Sequence, residues 1–494
     1  MSHSKSASEV VGSDPSDFDV REASSPQDVF WDGDSDPGNP KNWSSMRRWF
    51  HVVAVSLLTF VTSLGSSMLA PAVPDIMDSL NTDNAELESF VVSIYIIGFV
   101  VGPLVVAPFS ELYGRAIVYN ITNVVFLGAA IGSALSTNMG MFLAFRLISG
   151  CAGVTPLSLG GGTISDLMKP ERMGTAMAIW GLGSLITPVF APIAGGYLAE
   201  AAGWRWIFWV MVIPMGILTV LFPFITQETY APVLLERKAK RLQKETGNPS
   251  LKSRLRPQIS QRRFIVETLV RPLRLLLTSP IVTLLAIDVA VVYGYQYLVF
   301  STLSYIFQDQ YHMSTGVSGL IYLGNGMGAV LGVLTIGYAS DKVTERRKMT
   351  LSNSSGLPAS SSPELKPEGW LWPMIPSGIL VPVGLFWYGW SLEHHTHPVI
   401  PLVGLGVFAF GMMGIIQPVQ IYIVNAFGKH AASALAGVTV LRSLVGALLP
   451  LGAQRMYDVL GMGWGNSLLA FIAVALIPVP ALLMKFGAKL RREA

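Results

Sequence analysis

The apolar residues of this chain fall into long, nearly charge-free blocks separated by short polar turns. Blocks of about 20 residues, wound as helices, cross the ~30 Å hydrocarbon core of a bilayer. Lipid offers no partner for the open backbone groups of other conformations, so such blocks must be helical. Twelve spans are predicted, at 49–70, 89–109, 116–136, 140–162, 173–197, 205–226, 280–303, 316–338, 370–391, 399–425, 432–452 and 464–486. Six precede a long basic segment and six follow it. After the second span comes Gly102-Pro-Leu-Val-Val-Ala-Pro-Phe-Ser-Glu111-Leu-Tyr-Gly114-Arg115, and after the eighth comes an echo, Gly332 to Asp341 and Lys342. In both copies a glycine precedes an acid by nine positions, and the copies lie 230 residues apart. The implied architecture is an all-α polytopic membrane protein of twelve transmembrane helices in two pseudo-symmetric six-helix bundles.

Composition supports this and removes other classes. Only 13% of residues are charged, 51% are hydrophobic, and mean hydropathy is +0.49, whereas a soluble domain carries about a quarter of its residues as charges. The single cysteine, Cys151, lies in an apolar block, so no disulfide is expected. No Gly-x-x-x-x-Gly-Lys-Ser/Thr motif is present, which argues against an ATP-driven pump. Gly160-Gly-Gly162 sits inside a span without the strand and helix of a nucleotide site. Glu393-His-His-Thr-His397 reads as a solvated loop rather than a metal site. Neither a cofactor nor a nucleic-acid partner is implied, and no span gathers a catalytic cluster, so an enzyme is not expected.

Five segments follow. Residues 1–45, rich in Ser, Asp, Gly and Pro, read as a disordered tail whose end, Asn39 to Ser44, reads as an ordered lead-in to the membrane. Residues 46–226 form the first bundle, 227–279 a basic linker, 280–486 the second bundle and 487–494 a short tail. With the N-terminus inside, 30 of the 34 Lys and Arg residues fall on the cytoplasmic side. The linker holds twelve of them, and long loops count less in this rule; without it, 18 still stand against two, Arg205 and Arg455. Both termini are therefore expected in the cytoplasm, and no cleavable signal peptide is expected. Within the linker, Pro232 to Glu245 reads as an amphipathic surface helix held near anionic lipid.

From about residue 39 onward, Asn39-Pro-Lys-Asn-Trp-Ser44, Pro108 to Arg115, Arg146 with Gly150 and Gly153, Thr187 to Gly196, Gly203 to Trp209, Gln227-Glu-Thr-Tyr230 and Leu441 to Pro450 follow one another in a specific order. With these stretches the chain resembles the major facilitator superfamily, and within it the fungal twelve-span drug:proton antiporters, which include exporters of secondary metabolites. Departures are Thr187 and Ala191 where glycine is frequent, and Ala116 where a second basic residue is common. The resemblance implies a gating loop at Gly102, Glu111, Gly114 and Arg115, echoed at Gly332, Asp341 and Lys342. It also implies an antiporter motif at Pro188, Pro192, Gly195 and Gly196, and a proton-coupling role for Arg146.

The residues themselves leave alternatives open. Glu111 and Arg115 can pair at i and i+4 if helical, but Gly114 between them indicates a turn. Arg146 lies ~10 Å into its span, where a charge marks a pathway or a partner; satisfaction by backbone carbonyls is the other reading. Arg442, about ten residues into its span, faces the same argument and reads as either structural or facing a substrate in the cavity. Asp288 is the only carboxylate well inside a span, ~12 Å beyond Pro280. It reads as a proton or cationic-substrate site whose charge would be relieved by pairing with Arg146 or Arg442; a capped acid near the span start is the alternative. Pro188 and Pro192 bend the fifth span while its glycines allow close contact. Tyr95, Trp180, Tyr293, Gln296, Phe300, Asn325, Gln417 and Gln420 are candidates for a midplane cavity suited to a bulky, weakly polar ligand. Interfacial aromatic belts would explain the aromatic members equally well.

The expectation is a proton-driven exporter of a small hydrophobic compound, monomeric, in the plasma membrane, with the vacuolar membrane as the alternative site. Its partners would be the lipid bilayer, a small-molecule substrate and protons. Uptake of a nutrient or organic acid, or a non-transporting receptor, are the competing readings. The first loop copy has Ala116 where the echo is followed by Arg346, Arg347 and Lys348, so the two latches are expected to be unequal, the first weaker.

Overall fold

The structure, a computed structural model, describes residues 28–33, 35–82, 84–255, 261–355, 367–427 and 431–492. Among these the only strands are the two-residue β1 (Asp28–Val29) and β2 (Lys252–Ser253), paired in parallel. Everything else regular is helix. The first half comprises α1 (Ser45–Ser67), α2 (Val73–Ser79), α3 (Ala85–Tyr113), α4 (Arg115–Ala134), α5 (Met139–Gly153), α6 (Thr155–Leu167), α7 (Pro170–Ala202) and α8 (Arg205–Ile225). The linker carries α9 (Ala231–Thr246) and α10 (Gln261–Thr278). The second half comprises α11 (Pro280–Tyr311), α12 (Thr315–Leu320), α13 (Tyr322–Ser355), α14 (Met374–Glu393), α15 (Val399–Phe427), α16 (Ala431–Leu448), α17 (Ala453–Leu476) and α18 (Pro478–Arg492). Prolines open α6, α7, α9 and α11, where a missing N–H costs nothing and the fixed φ suits the first turn.

Among the described residues, eleven helical stretches are long and apolar enough to cross a bilayer. The last, Ser433–Gly487, has 55 residues, ~80 Å of helix if straight, about twice what one crossing needs. Its path is broken by the 3-10 turn Leu449–Gly452 and by Gly461, whose φ of 73° lies in the left-handed region. The outward face confirms the solvent: along α8, Ile213, Ile217, Val220 and Phe224 are 57%, 56%, 65% and 81% exposed. A continuous exposed apolar stripe is what a lipid-facing helix requires.

The repeat has a packing origin. Gly98 and Gly102 of α3 lie against Gly150 and Cys151 of α5; a Cβ on Gly102 would stand 2.6 Å from the Cys151 carbonyl oxygen. The 230-residue offset carries this to Gly328 and Gly332 of α13 against Gly406 and Phe410 of α15, with 2.9 Å from a Gly332 Cβ to the Phe410 oxygen. Gly102 and Gly332 therefore serve helix contact inside each half, away from the charged turns that follow them.

The ordered lead-in expected at Asn39 to Ser44 is present, and order extends back to residues 35–38 of the expected tail. Asp36 is buried and accepts from the backbone N–H of Asp32 and Gly38. Lys238 of α9 holds Asp32 at 2.8 Å and Asp36 at 3.0 Å, and donates to the Phe30 carbonyl at 3.0 Å. Burial pushes Asp36 up, but those N–H groups and the Lys238 ammonium outweigh it and hold the carboxyl below its usual value. Lys238 is raised: its burial is outweighed by Asp32 and Asp36. Asn39 caps the turn Pro40–Asn42, and Ser44 caps α1. The amphipathic helix expected at Pro232 to Glu245 is α9, which buries Val233, Leu235 and Ala239.

Candidate functional site: an arginine-bearing cleft between the halves

Six helices converge on one cluster. Arg146 of α5 is 1% exposed and donates from Nη1 to the Gly65 carbonyl of α1 at 2.6 Å. Its guanidinium lies 4.7 Å from the centre of the Tyr95 ring of α3, and the Tyr95 hydroxyl donates to the Thr62 carbonyl at 2.7 Å. Gly65 must be glycine here, because a Cβ would meet the Tyr95 hydroxyl at 3.0 Å. The Nε and Nη2 of Arg146 are buried and have no hydrogen-bond partner.

From the second half, Arg442 of α16 sits 4.9 Å from the Tyr293 ring centre, and its Nε is likewise buried and unpartnered. Tyr293, Tyr297 and Phe300 of α11 form an aromatic run that continues to Tyr322 of α13, with centroid separations of 5.0, 5.9 and 5.3 Å. Gly446 gives Tyr293 its room, since a Cβ there would come within 3.0 Å of the ring. Tyr297 joins the halves: it lies within interaction range of both arginines and faces the side chains of Tyr293 and Ser66. Gln296 and Asn325 are buried, each with an unpartnered carbonyl oxygen.

Other expected cavity residues go elsewhere. Trp180 donates its indole N–H to Thr59 at 2.9 Å and packs on Gly160, which ties it to the first half. Gln417 is half-buried and Gln420 exposed, and no contact ties either to the cluster. Asp288 is buried on a different face of α11, beside a small apolar cavity of about 10 Å³ lined by Val292, Gly378, Val381, Ile415, Ala473 and Ile477. Neither arginine lines that cavity. The expected pairing of Asp288 with Arg146 or Arg442 is therefore corrected: a helix turns ~100° per residue, which sends position 288 away from 293 and 297.

At the linker end, Arg115 does not take Glu111 as its partner. Gly114, at φ 103°, breaks the helix between them, and Arg115 Nε donates to Asp166 at the end of α6 at 2.5 Å. Glu228 receives the backbone N–H of Arg115 at 3.0 Å and of Ala116 at 3.2 Å, placing a carboxylate at the positive end of α4. It also accepts from the N–H groups of Thr229 and Tyr230. A Cβ on Gly114 would collide with Glu228, so that glycine is required twice. The Tyr230 ring lies 5.0 Å from the Arg115 guanidinium. Glu111 is near Arg271 of α10 as well as Arg115. Gly162 makes room for Arg115, which is the use of the triple glycine. In the echo, the Asp341 side chain lies outside the described residues; Lys342 is exposed, 5.5 Å from the Tyr338 ring centre.

At the opposite end the halves are sealed. Gly196 of α7 approaches α12 so closely that a Cβ would be 2.7 Å from the Thr315 oxygen, and a Cβ on Gly319 would be 2.6 Å from the Pro192 oxygen. Gly195 lies against the Met68 backbone. Pro188 and Pro192 stand inside α7 along this seam. Glu200 accepts from the Gly316 N–H at 2.6 Å and the Ser314 hydroxyl at 2.9 Å. Gln454 donates to Glu88 at 2.6 Å, and Gln308 donates to the Pro71 carbonyl at 3.2 Å. Asp166, Glu88 and Glu200 were missed as site residues; a carboxylate at a span end gave no sign of its distant partner.

Two helical halves that meet in a buried cluster of arginine and tyrosine, joined at one end by backbone contacts, fit a membrane carrier. The chain belongs to the Major Facilitator Superfamily, whose family model matches residues 55–450. It is similar to "Efflux pump radE" of Floropilus chiversii, 44% identical over 98% of this chain and 88% of that one. It is also similar to "MFS-type transporter tndD" of Aspergillus flavipes, 46% identical over 94% of this chain and 86% of that one. In fold it is similar to the crystal structure of a D-xylose-proton symporter, with a TM-score of 0.65 at 13% identity, over 88% of this chain and 97% of that one. It is thus a polytopic secondary active transporter and not an enzyme.

Proposed function

We propose that this chain is a drug:proton antiporter that exports a small hydrophobic compound, a fungal secondary metabolite or drug, by alternating access. The observation that carries the reading is the seam of α7, where Pro192 and Gly196 meet α12 and Gly195 meets Met68 at backbone contact, one turn beyond Pro188. Such a contact is a natural place for two rigid bundles to separate and close, because small residues let helices touch without interlocked side chains. The name of the efflux pump among its relatives supports the direction.

In this reading Ser433–Gly487 crosses the membrane twice, giving twelve spans and bundles at 46–226 and 280–486. Both termini and the linker face the cytoplasm of the plasma membrane, the α7 seam closes the outer end, and the protein acts as a monomer. The charged turns after α3 and at Asp341 and Lys342 work as latches at the inner mouth. Arg146 and Asp288 serve proton coupling: Asp288, alone in an apolar cavity, exchanges its proton with whichever side wets that cavity. Proton entry supplies ~2.3 kcal/mol per charge per 100 mV. Expression in a pump-depleted yeast tests the direction. Lower intracellular accumulation of hydrophobic drugs or metabolites is expected, and higher accumulation across the panel would reverse it.

A further inference from the structure

We propose that the substrate carries an acidic group, a carboxylate or ionised phenol, bound between Arg146 and Arg442 with its aromatic body on Tyr293, Tyr297 and Phe300. This deepens the export reading and rests on it for the assignment of the cleft as the substrate site.

The two guanidiniums come from opposite halves, each within interaction range of Tyr297, and no described carboxylate pairs with either. Arg146 spends one N–H group on the Gly65 carbonyl and leaves Nε and Nη2 buried and unpartnered. Arg442 leaves Nε buried and unpartnered, and its other contact is the face of Tyr293. A buried cation without a counter-charge is strongly unfavourable. An anionic oxygen group relieves both at once, with charge-assisted hydrogen bonds in the planar geometry arginine favours. Asp288, the buried acid of α11, faces another cavity and cannot supply it. The rings at 5.0 and 5.9 Å spacing next to Arg442 offer a stacking surface that a planar aromatic acid fits and an aliphatic sugar does not. A cationic amine would meet two like charges, so the cleft selects against it.

The test is binding to the purified full chain in lipid nanodiscs, with no gradient, of three matched probes: 2-naphthoate, methyl 2-naphthoate and 2-naphthylmethylammonium. Tryptophan quenching and thermal stabilisation give the affinities. The acid is expected to bind at least about tenfold more tightly than the ester, with the amine weakest. Arg442→Gln is expected to bring acid and ester within about twofold, and Arg442→Lys to restore part of the preference. Equal binding of acid and ester by the unmutated chain, tighter binding of the amine, or no stabilisation by millimolar acid would each overturn the proposal. Acid preference that survives intact in a folded Arg442→Gln protein would do so too. Because the measurement uses no gradient, failed proton coupling leaves it standing, and a lost acid preference leaves export of neutral compounds standing.

Discussion

Arg115 donates its Nε to Asp166 at 2.5 Å although the two residues stand on different helices, 51 positions apart. Their side chains are 13% and 18% exposed, so the pair sits between a surface ion pair and a buried one. Together with Glu228 on the start of α4, it anchors the charged turn to the first half. Glu111 is thereby left to face Arg271 on the approach to the second half.

Asp166→Asn should therefore cost about 2 kcal/mol, between the exposed and fully buried limits. Glu228→Gln should cost about 1 kcal/mol through the α4 terminus. Glu111→Gln should change melting little while still affecting transport. Thermal unfolding of the three variants in detergent checks this. Equal destabilisation by Glu111→Gln and Asp166→Asn would mean the turn is held otherwise.

The seam predicts a different signature. A side chain on Gly196 or Gly319 has backbone at 2.7 or 2.6 Å in its way, so Gly196→Val and Gly319→Val should prevent closure of this end. Transport should fall at least about tenfold with modest loss of stability, since the clash arises between the halves and not within a core. Glu200→Ala removes two hydrogen bonds across the same seam. In a Cys151→Ser background, an impermeant thiol reagent applied from the seam side should label Ser66→Cys several-fold faster when Glu200→Ala is added. An unchanged rate would show that Glu200 does not hold the closed state.

Much of this was legible in the sequence. The apolar blocks placed most helices to within a few residues, but α11 and α13 run on well past 303 and 338, and the last block, 464–486, covers parts of both α17 and α18. The 230-residue offset that marked the repeat is the same offset that relates Gly98 and Gly102 to Gly328 and Gly332. Arg146 and Arg442 stood out because a charge inside a span is rare, whereas Tyr95 and Tyr293 had nothing in the sequence to set them apart from the other tyrosines of the spans. Glu228 was marked only by its motif, and Asp166 and Glu200 by nothing, because their partners lie more than fifty positions away. Asp288 was found, yet its surroundings were not: the face a helical residue presents depends on how the helix is docked.

The tail clamp should be insensitive to physiological pH. Asp36 is held below its ordinary value of 3.8, so its contribution is present above that value and is lost as pH falls through the lower folded value. Lys238 is held above 10.5, so its contribution is present below that value and is lost as pH rises through the folded one. Hydrogen-exchange protection of residues 35–44, corrected for intrinsic rates, should stay flat between about pH 5 and 9. Lys238→Ala should lower it at every pH in that window; a midpoint inside the window would contradict the assignment.

Asp288 stands apart from the arginine cleft, so its loss should separate coupling from binding. Asp288→Asn should leave affinity for the transported compound within about twofold and flatten the pH dependence of transport. A folded Asp288→Asn protein with full proton-driven transport and an unchanged pH profile would remove this residue from the proton path.

The most direct measurement is uptake into inside-out vesicles holding this chain, with an imposed pH gradient and a panel of drugs and fungal metabolites. Acid-inside vesicles are expected to accumulate at least one compound, to lose it when the gradient is collapsed by a protonophore, and to release protons in step with uptake. Accumulation that ignores the gradient, or no flux of any compound under a maintained gradient, would contradict proton-coupled export.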